Sequence, residues 1–398
     1  MNIGIIGIGG RSRPYSIVPQ LIREDVRIAA LVRRDMEKLK EYANTYFTEA
    51  DMPRLYTDYN EVLDDPSIEA VVICTPDATH REIATLALRK GKHVLLEKPF
   101  ATTLEDTIEL YNETLKHDKV LRLAFLIRYS TMFQKIKEIV SSGILGQIIN
   151  VEAKEMLSLF HSVSYFRRWN RFKHISGGFL NAKSSHDMDM LNWVIDSEPV
   201  YLSAFGGRAF FNPKKEAADR CKNCKLRHEC KYDFYTYEKQ NGWFGSREDL
   251  CVFNVENDLV DHETLNIEYQ NGVIALFTVT MFGGEPGRSL RIYGTEATLT
   301  AYSPYEGYGK PNIKINYIEP KDEVIFNFDA DFGEKYNWMY SDADIGICAN
   351  FIDSIRTDKY PEKSDARAGL LSSAMALAAE VSMVEKKVIN IQELINKR

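Results

Sequence analysis

The sequence has few cysteines, no excess of basic charge and no long run of apolar residues. Its six cysteines, three of them scattered singly, suggest a reducing compartment rather than a disulfide framework. A net charge of −7 argues against a nucleic-acid binder, because such proteins concentrate basic residues on one face. No run approaches the ~20 apolar residues that cross a bilayer, and residues 1–10 lack the basic start of a secretory leader. We therefore expect a cytoplasmic protein with neither nucleic acid nor membrane as partner.

The length and composition are those of a folded protein with two domains. The chain has 398 residues, 44% of them hydrophobic and 27% charged, and it shows no repeats or low-complexity tracts. Short apolar runs alternate with helical segments in its first part, as in parallel βαβ units. After about residue 145 the pattern changes to strands with hairpin signals, such as the Asn271-Gly272 turn. We predict an α/β fold, with a doubly wound parallel sheet in residues 1–122 and an α+β domain, its sheet mostly antiparallel, in residues 123–398.

A glycine-rich turn follows the first predicted strand and precedes a predicted helix. Gly7 suits the tight turn, Gly9 lets the backbone approach a pyrophosphate, and the helix N-terminus supplies amide donors. The third position of the G-x-G-x-x-G pattern holds Ser12, whose short side chain can be tolerated. The turn therefore predicts nucleotide binding, with Gly10 and Arg11 as further candidate contacts. A purely structural glycine turn is the alternative.

The end of the second predicted strand bears on the choice of cofactor. An acidic residue is expected there for the ribose hydroxyls of NAD, whereas this sequence has Arg33 and Arg34, with Asp35 one position later. Two arginines suit a 2′-phosphate, which favours NADP slightly. Solvated arginines, or arginines stacked on adenine, are the alternative, so NAD and NADP both stay open.

Further motifs along the chain resemble those of the Gfo/Idh/MocA oxidoreductase family of sugar, inositol and related dehydrogenases. The similarity covers essentially the whole length. The motifs are Glu97-Lys98-Pro99, Cys74-Thr75-Pro76-Asp77 with His80, Ile144-Leu145-Gly146-Gln147-Ile148, Gly177-Gly178-Phe179-Leu180, His186-Asp187-Met188-Asp189 and Tyr293-Gly294-Thr295. The resemblance implies a Rossmann domain followed by an open, mostly antiparallel sheet that commonly packs on another subunit, hence a homodimer or homotetramer. It also implies cofactor contacts from Thr75, Pro76, His80, Glu97 and Lys98.

The resemblance implies a catalytic role for two residues above all. The family lysine of the E-K-P motif, here Lys98, lies between nicotinamide and substrate, where a cation stabilises charge on the substrate oxygen. His186 matches a family histidine that serves as general base or substrate anchor, and histidine titrates near neutrality. Many members have an acidic residue four positions earlier, where this chain has Ala182. Lys183 is then either a second substrate contact, with a catalytic part, or the partner of a nearby carboxylate.

Three other residues are candidates for substrate binding. Arg168 and Trp169 belong to a run of three arginines around an aromatic ring, which can stack on a sugar face and bind hydroxyls or a carboxylate. A solvated loop is the alternative for this run. Tyr129 follows a linking strand near the domain boundary and is a further candidate.

A cysteine cluster is the main candidate metal site; Asp261-His262 also has metal-capable groups but is more typical of a polar pair at the start of a strand. Cys221 and Cys224 form a C-x-x-C pair, and Cys230 follows in the same basic stretch. This spacing suits a structural zinc ion, with His228 or Cys251 as the fourth ligand. A second C-x-x-C pair is absent from the sequence, so a free-thiol loop and an oxidised pair stay open.

These features predict reversible hydride transfer between NAD or NADP and a hydroxyl-bearing carbon of a sugar, polyol or sugar-acid. The first alternative is a lyase or glycosidase with tightly bound NAD that oxidises a sugar carbon transiently, eliminates a substituent and returns the hydride. The missing acid at Ala182 keeps this alternative open. A non-catalytic nucleotide sensor is the second alternative, but it would have no need of Lys98 and His186.

Overall fold

The structure is a computed structural model that describes residues 1–238, 248–305, 308–329, 339–357 and 364–396. Contacts within the chain divide it into two compact units. The first comprises Met1–Gln134 and the described part of Asp331–Ser373, and the second comprises the described parts of Lys135–Ala330 and Ala374–Arg398. This division differs from the predicted boundary after residue 122, because the first unit continues to Gln134 and takes in a second, later segment of the chain.

The first unit contains a six-stranded parallel sheet. Its strand order is β3-β2-β1-β4-β5-β6, and every neighbouring pair is parallel. The strands are β1 (Asn2–Ile6), β2 (Arg27–Val32), β3 (Arg54–Tyr56), β4 (Ala70–Ile73), β5 (His93–Leu96) and β6 (Leu121–Leu123). All four residues of β4 are buried, as expected for a strand covered by helices on both faces. This sheet confirms the predicted doubly wound fold, whose switch point lies between β1 and β4.

Five helices connect these strands. They are α1 (Ser12–Ile22), α2 (Met36–Tyr46), α3 (Tyr59–Asp64), α4 (His80–Arg89) and α5 (Leu104–Thr114). The side chain of Asp35 accepts a hydrogen bond from the Lys38 amide and caps α2 at its N-terminus. Thr103 caps α5 in the same way through the Asp106 amide.

The second unit contains a nine-stranded mixed sheet. Its order is β14-β13-β12-β11-β7-β10-β9-β8-β15, with β7 and β10 parallel and the other neighbours antiparallel. The strands are β7 (Ile148–Met156), β8 (Pro199–Gly207), β9 (His262–Tyr269), β10 (Ile274–Thr280), β11 (Gly287–Gly294), β12 (Ala297–Pro304), β13 (Asn312–Tyr317), β14 (Val324–Asn327) and β15 (Ile389–Asn390). The predicted mostly antiparallel sheet is thus confirmed. Gly272 has a φ of 83° and forms the predicted turn between β9 and β10.

Four helices precede or cover this sheet, and one of them is almost completely buried. They are α6 (Thr131–Ser141), α7 (Leu159–Phe166), α8 (Lys173–Ser176) and α9 (Phe179–Ile195). Of the 17 residues of α9, His186 alone is not buried. Gly178 precedes α9 with a φ of 97°, and a Cβ there would lie 2.7 Å from Glu380 Oε1. Glycine is therefore required at the start of the helix that carries His186.

Three helices close the chain. They are α10 (Asp342–Thr357), α11 (Ala366–Glu385) and α12 (Ile391–Asn396). Ile347, Phe351 and Ile352 of α10 are buried in the core of the first unit, together with Ile5 and Ile28 of its sheet. α11 is long and apolar enough to cross a membrane by length and composition alone, whereas no apolar run of that length was expected from the sequence. Because 67% of its apolar window is buried inside the protein, a core position explains that composition.

Candidate active site

The glycine loop joins the end of β1 to the start of α1. The Gly7 amide donates to the Val32 carbonyl at 3.0 Å, and a Cβ on Gly7 would lie 2.6 Å from the Thr75 nitrogen. Glycine is required at this position because the chain after β4 passes directly beside it. Among the described residues other than their chain neighbours, none lies within 4 Å of a Cβ built on Gly9 or Gly10. The exposed face of the loop thus has the open space that a bound pyrophosphate needs.

Ser12 stabilises the loop itself. Its Oγ accepts a hydrogen bond from the Gly9 amide at 3.0 Å and donates to the Gly9 carbonyl at 2.8 Å. Ser12 is fully buried. The serine in the third position of the motif therefore closes the turn by its own hydrogen bonds, a role that neither glycine nor alanine can fill.

Arg11 binds the glutamate of the E-K-P motif. Its Nε donates to Glu97 Oε1, and its Nη2 lies 2.7 Å from Asp344 Oδ1 of α10 and 2.9 Å from the Tyr15 hydroxyl. The Tyr15 hydroxyl donates to Glu97 Oε1 at 2.7 Å, and burial raises the pKa of Tyr15 well above its usual value. Sequence reasoning proposed Arg11 and Glu97 separately and missed Asp344. The structure brings all three together immediately before Lys98.

Lys98 and His80 lie at the carboxyl ends of the neighbouring strands β5 and β4. Lys98 is half-buried, and its peptide bond to Pro99 is cis. The two ring nitrogens of His80 lie 2.8 Å from the Pro99 carbonyl oxygen and 3.0 Å from the Thr75 carbonyl oxygen. Burial lowers the pKa of His80. His80 therefore connects the two loops by its ring. Thr75 is half-buried, and Pro76 is exposed.

The two arginines at the end of β2 have different environments. Arg33 Nη1 donates to the Ile8 carbonyl at 2.9 Å and so holds the glycine loop, whereas Arg34 is exposed. The Asp35 carboxylate caps α2, and its Oδ2 lies 2.8 Å from Lys38 Nζ. Of the two cations that suggested a 2′-phosphate site, one is thus engaged with the protein backbone.

In the second unit, Lys183 of α9 pairs with a carboxylate that lies on the sheet. Its Nζ lies 2.7 Å from Glu155 Oε1 of β7 and donates to the Tyr305 hydroxyl at 3.1 Å. The Tyr305 hydroxyl donates to Glu155 Oε1 at 2.6 Å, and Arg288 Nη2 lies 2.6 Å from the same oxygen. Glu155 has no exposed surface. Three donors therefore converge on one buried carboxylate oxygen.

Arg288 joins this carboxylate to the H-D-M-D motif. Its Nε donates to Asp187 Oδ1 at 2.7 Å and its Nη2 to Asp187 Oδ2 at 3.2 Å, a bidentate pair. Glu155 and Arg288 are direct partners in the register of β7 and β11, which is why both reach the same helix. Sequence reasoning missed Glu155, Arg288 and Tyr305. The sequence contained one indication of them, the alternative that Lys183 pairs with a nearby carboxylate.

The charges of this buried cluster shift each other's ionisation. Burial opposes ionisation of Glu155, yet Arg288 and Lys183 hold its pKa well below the usual value. Burial and the charge of Glu155 raise the pKa of Asp187 to about 7, against the opposing effect of Arg288. Burial lowers the pKa of Lys183. One carboxyl group of the cluster thus titrates near neutrality, beside His186.

The remaining substrate candidates have varied surroundings. Arg168 and Trp169 are half-buried in the second unit, whereas the neighbouring Arg167 is buried and donates to the Tyr232 carbonyl at 2.6 Å. Tyr129 belongs to the first unit, where its hydroxyl lies 3.2 Å from Ser364 Oγ. A Cβ on Gly346 of α10 would lie 2.8 Å from Tyr129 Cβ, so the tyrosine packs closely on that helix.

The cysteine cluster surrounds a cavity of about 400 Å³ in the segment between β8 and β9. Cys221, Cys224, Cys230 and Cys251 all line this cavity, and His228 does not. The six cysteines of the chain are free thiols. Arg167 Nη2 donates to Cys221 Sγ at 3.5 Å. In the described part of the chain, no three histidine, cysteine, aspartate or glutamate side chains are arranged to hold a metal ion.

Comparison with known proteins places this arrangement in a family. Residues 1–125 match the model of the oxidoreductase family with an NAD-binding Rossmann fold, and residues 137–391 match the C-terminal alpha/beta domain of the same family. YteT of Bacillus subtilis is 25% identical over 99% of this chain and 98% of its own. Myo-inositol 2-dehydrogenase of Thermotoga maritima is 21% identical over 99% of this chain and 100% of its own.

The fold is shared with solved structures of low sequence identity. A levoglucosan dehydrogenase in complex with NADH and levoglucosan superposes with a TM-score of 0.75 at 17% identity, covering 98% of this chain and 99% of that one. An oxidoreductase from Agrobacterium radiobacter, in complex with NAD+, L-tartaric acid and magnesium, gives a TM-score of 0.75 at 17% identity and covers 99% of both chains. The matches to both family models show that the chain belongs to the Gfo/Idh/MocA oxidoreductase family.

Proposed function

We propose that the protein is an NAD(P)-dependent dehydrogenase that transfers a hydride to or from a hydroxyl-bearing carbon of a sugar, polyol or sugar-acid. The observation that carries this proposal is the fixed position of Lys98 in the first unit. Glu97, the residue before it, is held by Arg11 and Tyr15 beside the glycine loop. The inositol and levoglucosan dehydrogenases among the similar proteins support the class of substrate.

The first unit has the features that a dinucleotide needs. Gly9 and Gly10 leave open space above the loop, and α1 begins directly after it, so its first amides can bind phosphate oxygens. A bound nicotinamide cofactor would supply the acceptor or donor of the hydride. Gly7, Gly9, Gly10 and the start of α1 would hold its pyrophosphate, with Thr75 and Lys98 near its nicotinamide end.

In this mechanism Lys98 and His186 have complementary tasks. Lys98 donates a hydrogen bond to the substrate oxygen and stabilises the negative charge that develops there as the C–H bond breaks. His186 accepts the hydroxyl proton during oxidation and returns it during reduction. Its partial exposure, unique in α9, leaves the ring accessible to a substrate. Arg168 and Trp169 would bind the rest of the sugar.

For the cofactor we keep a slight preference for NADP. The exposed side chain of Arg34 at the end of β2 supports it, because Asp35 is engaged in capping α2. Arg33 supports it less, since part of its guanidinium binds Ile8. Equilibrium binding of NADPH and NADH to the purified protein tests this choice. A tighter complex with NADH would contradict it.

A redox-neutral lyase or glycosidase is the second candidate function. The observation that favours it is Ala182, which stands in α9 where an acid is expected. The two functions differ in what the purified protein contains. Stoichiometric NAD, released on denaturation and identified by mass, favours the closed redox cycle, whereas reversible binding of added cofactor and reduction of NAD(P)+ with a panel of sugars and polyols favours the dehydrogenase.

We also propose a homodimer or homotetramer that forms through the outer face of the second sheet. Strand register places Tyr201, Phe205, Ile274 and Ile325 on that face, and all four are exposed in the single chain. An apolar sheet face needs a cover, and a second copy supplies one. Light scattering coupled to size-exclusion chromatography tests the state, and a monomer at micromolar concentration would contradict it.

For the cysteine-lined cavity we propose structural zinc, with Cys251 as the fourth ligand. The C-x-x-C spacing of Cys221 and Cys224 supports it, as does the presence of all four thiols around one cavity. Burial raises the pKa of the Cys221 thiol against the opposing effect of Arg167, so the sulfur is neutral until an ion binds. Because no three ligands are arranged to hold an ion, binding requires the thiols to move closer together.

A further inference from the structure

The acid that is missing from α9 has a substitute on the adjacent strand. Position 182 is alanine, but Glu155 of β7 approaches the same helix and binds Lys183 at 2.7 Å. Ser184 Oγ also donates to Glu155, at 3.3 Å to the second carboxylate oxygen. A carboxylate therefore lies against the helical segment four residues before His186, although it comes from a different element.

Glu155 cannot touch a substrate itself. It has no exposed surface, whereas the side chains of Lys183 and Arg288 are 8% and 16% exposed and Tyr305 is half-buried. Lys183 and His186 are three positions apart on α9 and so lie on one face of the helix. The groups available to a ligand are thus Lys183, Arg288 and Tyr305, and Glu155 fixes their positions from beneath.

Hydrogen-bond counting leaves Lys183 one donor for a ligand. An ammonium group has three N–H donors, and those of Lys183 meet Glu155 and the Tyr305 hydroxyl. In the described part of the chain Lys183 has no third acceptor. One N–H remains for an oxygen that approaches from the exposed side, as a substrate hydroxyl would.

Above pH 7, where Asp187 is ionised, the charges of the cluster are balanced without a ligand. Two cations, Lys183 and Arg288, face two carboxyl groups, Glu155 and Asp187, with N–O distances of 2.6 to 2.7 Å. A substrate carboxylate would have to compete with Glu155 for Lys183, and would bring a third negative charge into a largely buried site. An uncharged hydroxyl group neither competes with Glu155 for the charge of Lys183 nor adds a negative charge to the site.

We propose that Glu155 is the positioning residue that replaces the acid absent at Ala182, and that by its ion pairs with Lys183 and Arg288 it selects uncharged polyols over sugar acids. This inference rests on the dehydrogenase function proposed above and narrows its substrate class. Lys183 and Tyr305 contact the substrate hydroxyl, and Glu155 acts through them.

The test compares a neutral sugar with its acid in two matched variants. Glu155→Gln removes the charge but keeps the size of the side chain. Glu152→Gln makes the same change on the same strand, where Glu152 lies on the opposite face and accepts a hydrogen bond from Tyr293. The kcat and KM values are measured at about pH 8.5, where Asp187 is ionised, for galactose and galacturonate, and for inositol as a second neutral substrate, with the preferred cofactor.

We expect wild type to prefer the neutral substrates by about tenfold or more in kcat/KM, and E155Q to shift that ratio toward galacturonate by about tenfold. The shift should come mainly from a lower KM for the acid, because Lys183 and Arg288 lose part of their compensation. E152Q should keep the wild-type ratio, and Glu155→Asp, which restores the charge, should recover most of the preference. A wild-type preference for galacturonate, or an unchanged ratio in E155Q, would overturn the inference.

Two further measurements keep this test decisive. Thermal unfolding shows whether E155Q is folded; if it is not, E155D and the wild-type preference decide the question. If wild type oxidises no carbohydrate with either cofactor, the proposed function fails. The charge preference is then measured as equilibrium binding of galactose and galacturonate by calorimetry, and tighter binding of galacturonate to wild type than of galactose would still overturn the role of Glu155.

Discussion

Arg11 donates to the carboxylate of Glu97, 86 residues further along the chain, and so links the glycine loop to the E-K-P motif. The same guanidinium binds Asp344 of α10 at 2.7 Å. Two carboxylates of the first unit, both more than nine-tenths buried, therefore share Arg11 as an ion-pair partner.

Replacing Arg11 with alanine should lower both stability and turnover. Removing one partner of a buried ion pair leaves the others uncompensated, a loss of about 3 kcal/mol. We expect thermal unfolding several degrees lower and a kcat about tenfold lower, because Glu97 no longer fixes the position of Lys98. Arg27→Ala is the control, since Arg27 is exposed at the start of β2. Equal unfolding temperatures for R11A and R27A would contradict this reading.

Alanine substitutions at Gly7 and Gly9 should have different effects, the first on folding and the second on cofactor binding. A Cβ on Gly7 would meet the Thr75 nitrogen at 2.6 Å, whereas a Cβ on Gly9 would have no described residue within 4 Å apart from its chain neighbours. Gly9→Ala should therefore fold like wild type and lose about tenfold or more in affinity for NAD(P)H, because its methyl group enters the space of the pyrophosphate. Gly7→Ala should be destabilised even without cofactor. The two variants are compared by thermal unfolding and by cofactor fluorescence, and undiminished binding by folded G9A would refute the loop as the pyrophosphate site.

Lys98→Ala should reduce kcat by ~10²-fold or more, because it removes the cation that stabilises developing charge on the substrate oxygen. The affinity for NAD(P)H should change much less than kcat. Steady-state rates and equilibrium binding, measured on the same preparation, distinguish the two effects. Turnover like that of wild type would remove Lys98 from the mechanism.

Asp187 should make stability fall as pH rises from about 4 to about 7. Its pKa is raised to about 7 in the folded protein, whereas an aspartate in an unfolded chain titrates near 3.9. Between those values the folded state holds a proton that the unfolded state has released, so this group stabilises the fold fully at low pH and loses that effect through pH 7. Asp187→Asn should flatten the unfolding temperature over this range, and Asp118→Asn, at an exposed position, should not. The same slope in D187N and wild type would show that the slope has another origin.

The cysteine cavity should hold about one zinc per chain, bound through Cys251 and not through His228. Cys251 lines the cavity with Cys221, Cys224 and Cys230, and His228 does not. Metal analysis of the purified protein should find zinc in wild type and in His228→Ala, and a large loss in Cys251→Ser. If wild-type protein expressed in medium with added zinc contains no zinc, the zinc proposal is wrong and the cysteines are free thiols.

The sequence predicted the parallel sheet and the main catalytic candidates for local reasons. Apolar runs such as residues 70–74 alternate with helical segments, and short motifs mark Lys98 and His186. The ion pairs around these residues could not be predicted. Asp344 lies 333 positions after Arg11, and Glu155 meets Arg288 through a strand register that no local pattern specifies. The zinc ligand pattern was visible in the sequence, but the distances between its thiols depend on the long segment between β8 and β9.

His186 is the one residue of α9 that is not buried; the other sixteen residues of the helix are buried. A helix packed on every side but one has almost no freedom to change by mutation, since nearly any replacement alters a filled interior. The residues that contact Lys183 and Asp187 of this helix come instead from the ends of β7, β11 and β12, namely Glu155, Arg288 and Tyr305. Libraries for altering the substrate range should be built at those strand ends, and α9 should be left as the fixed frame.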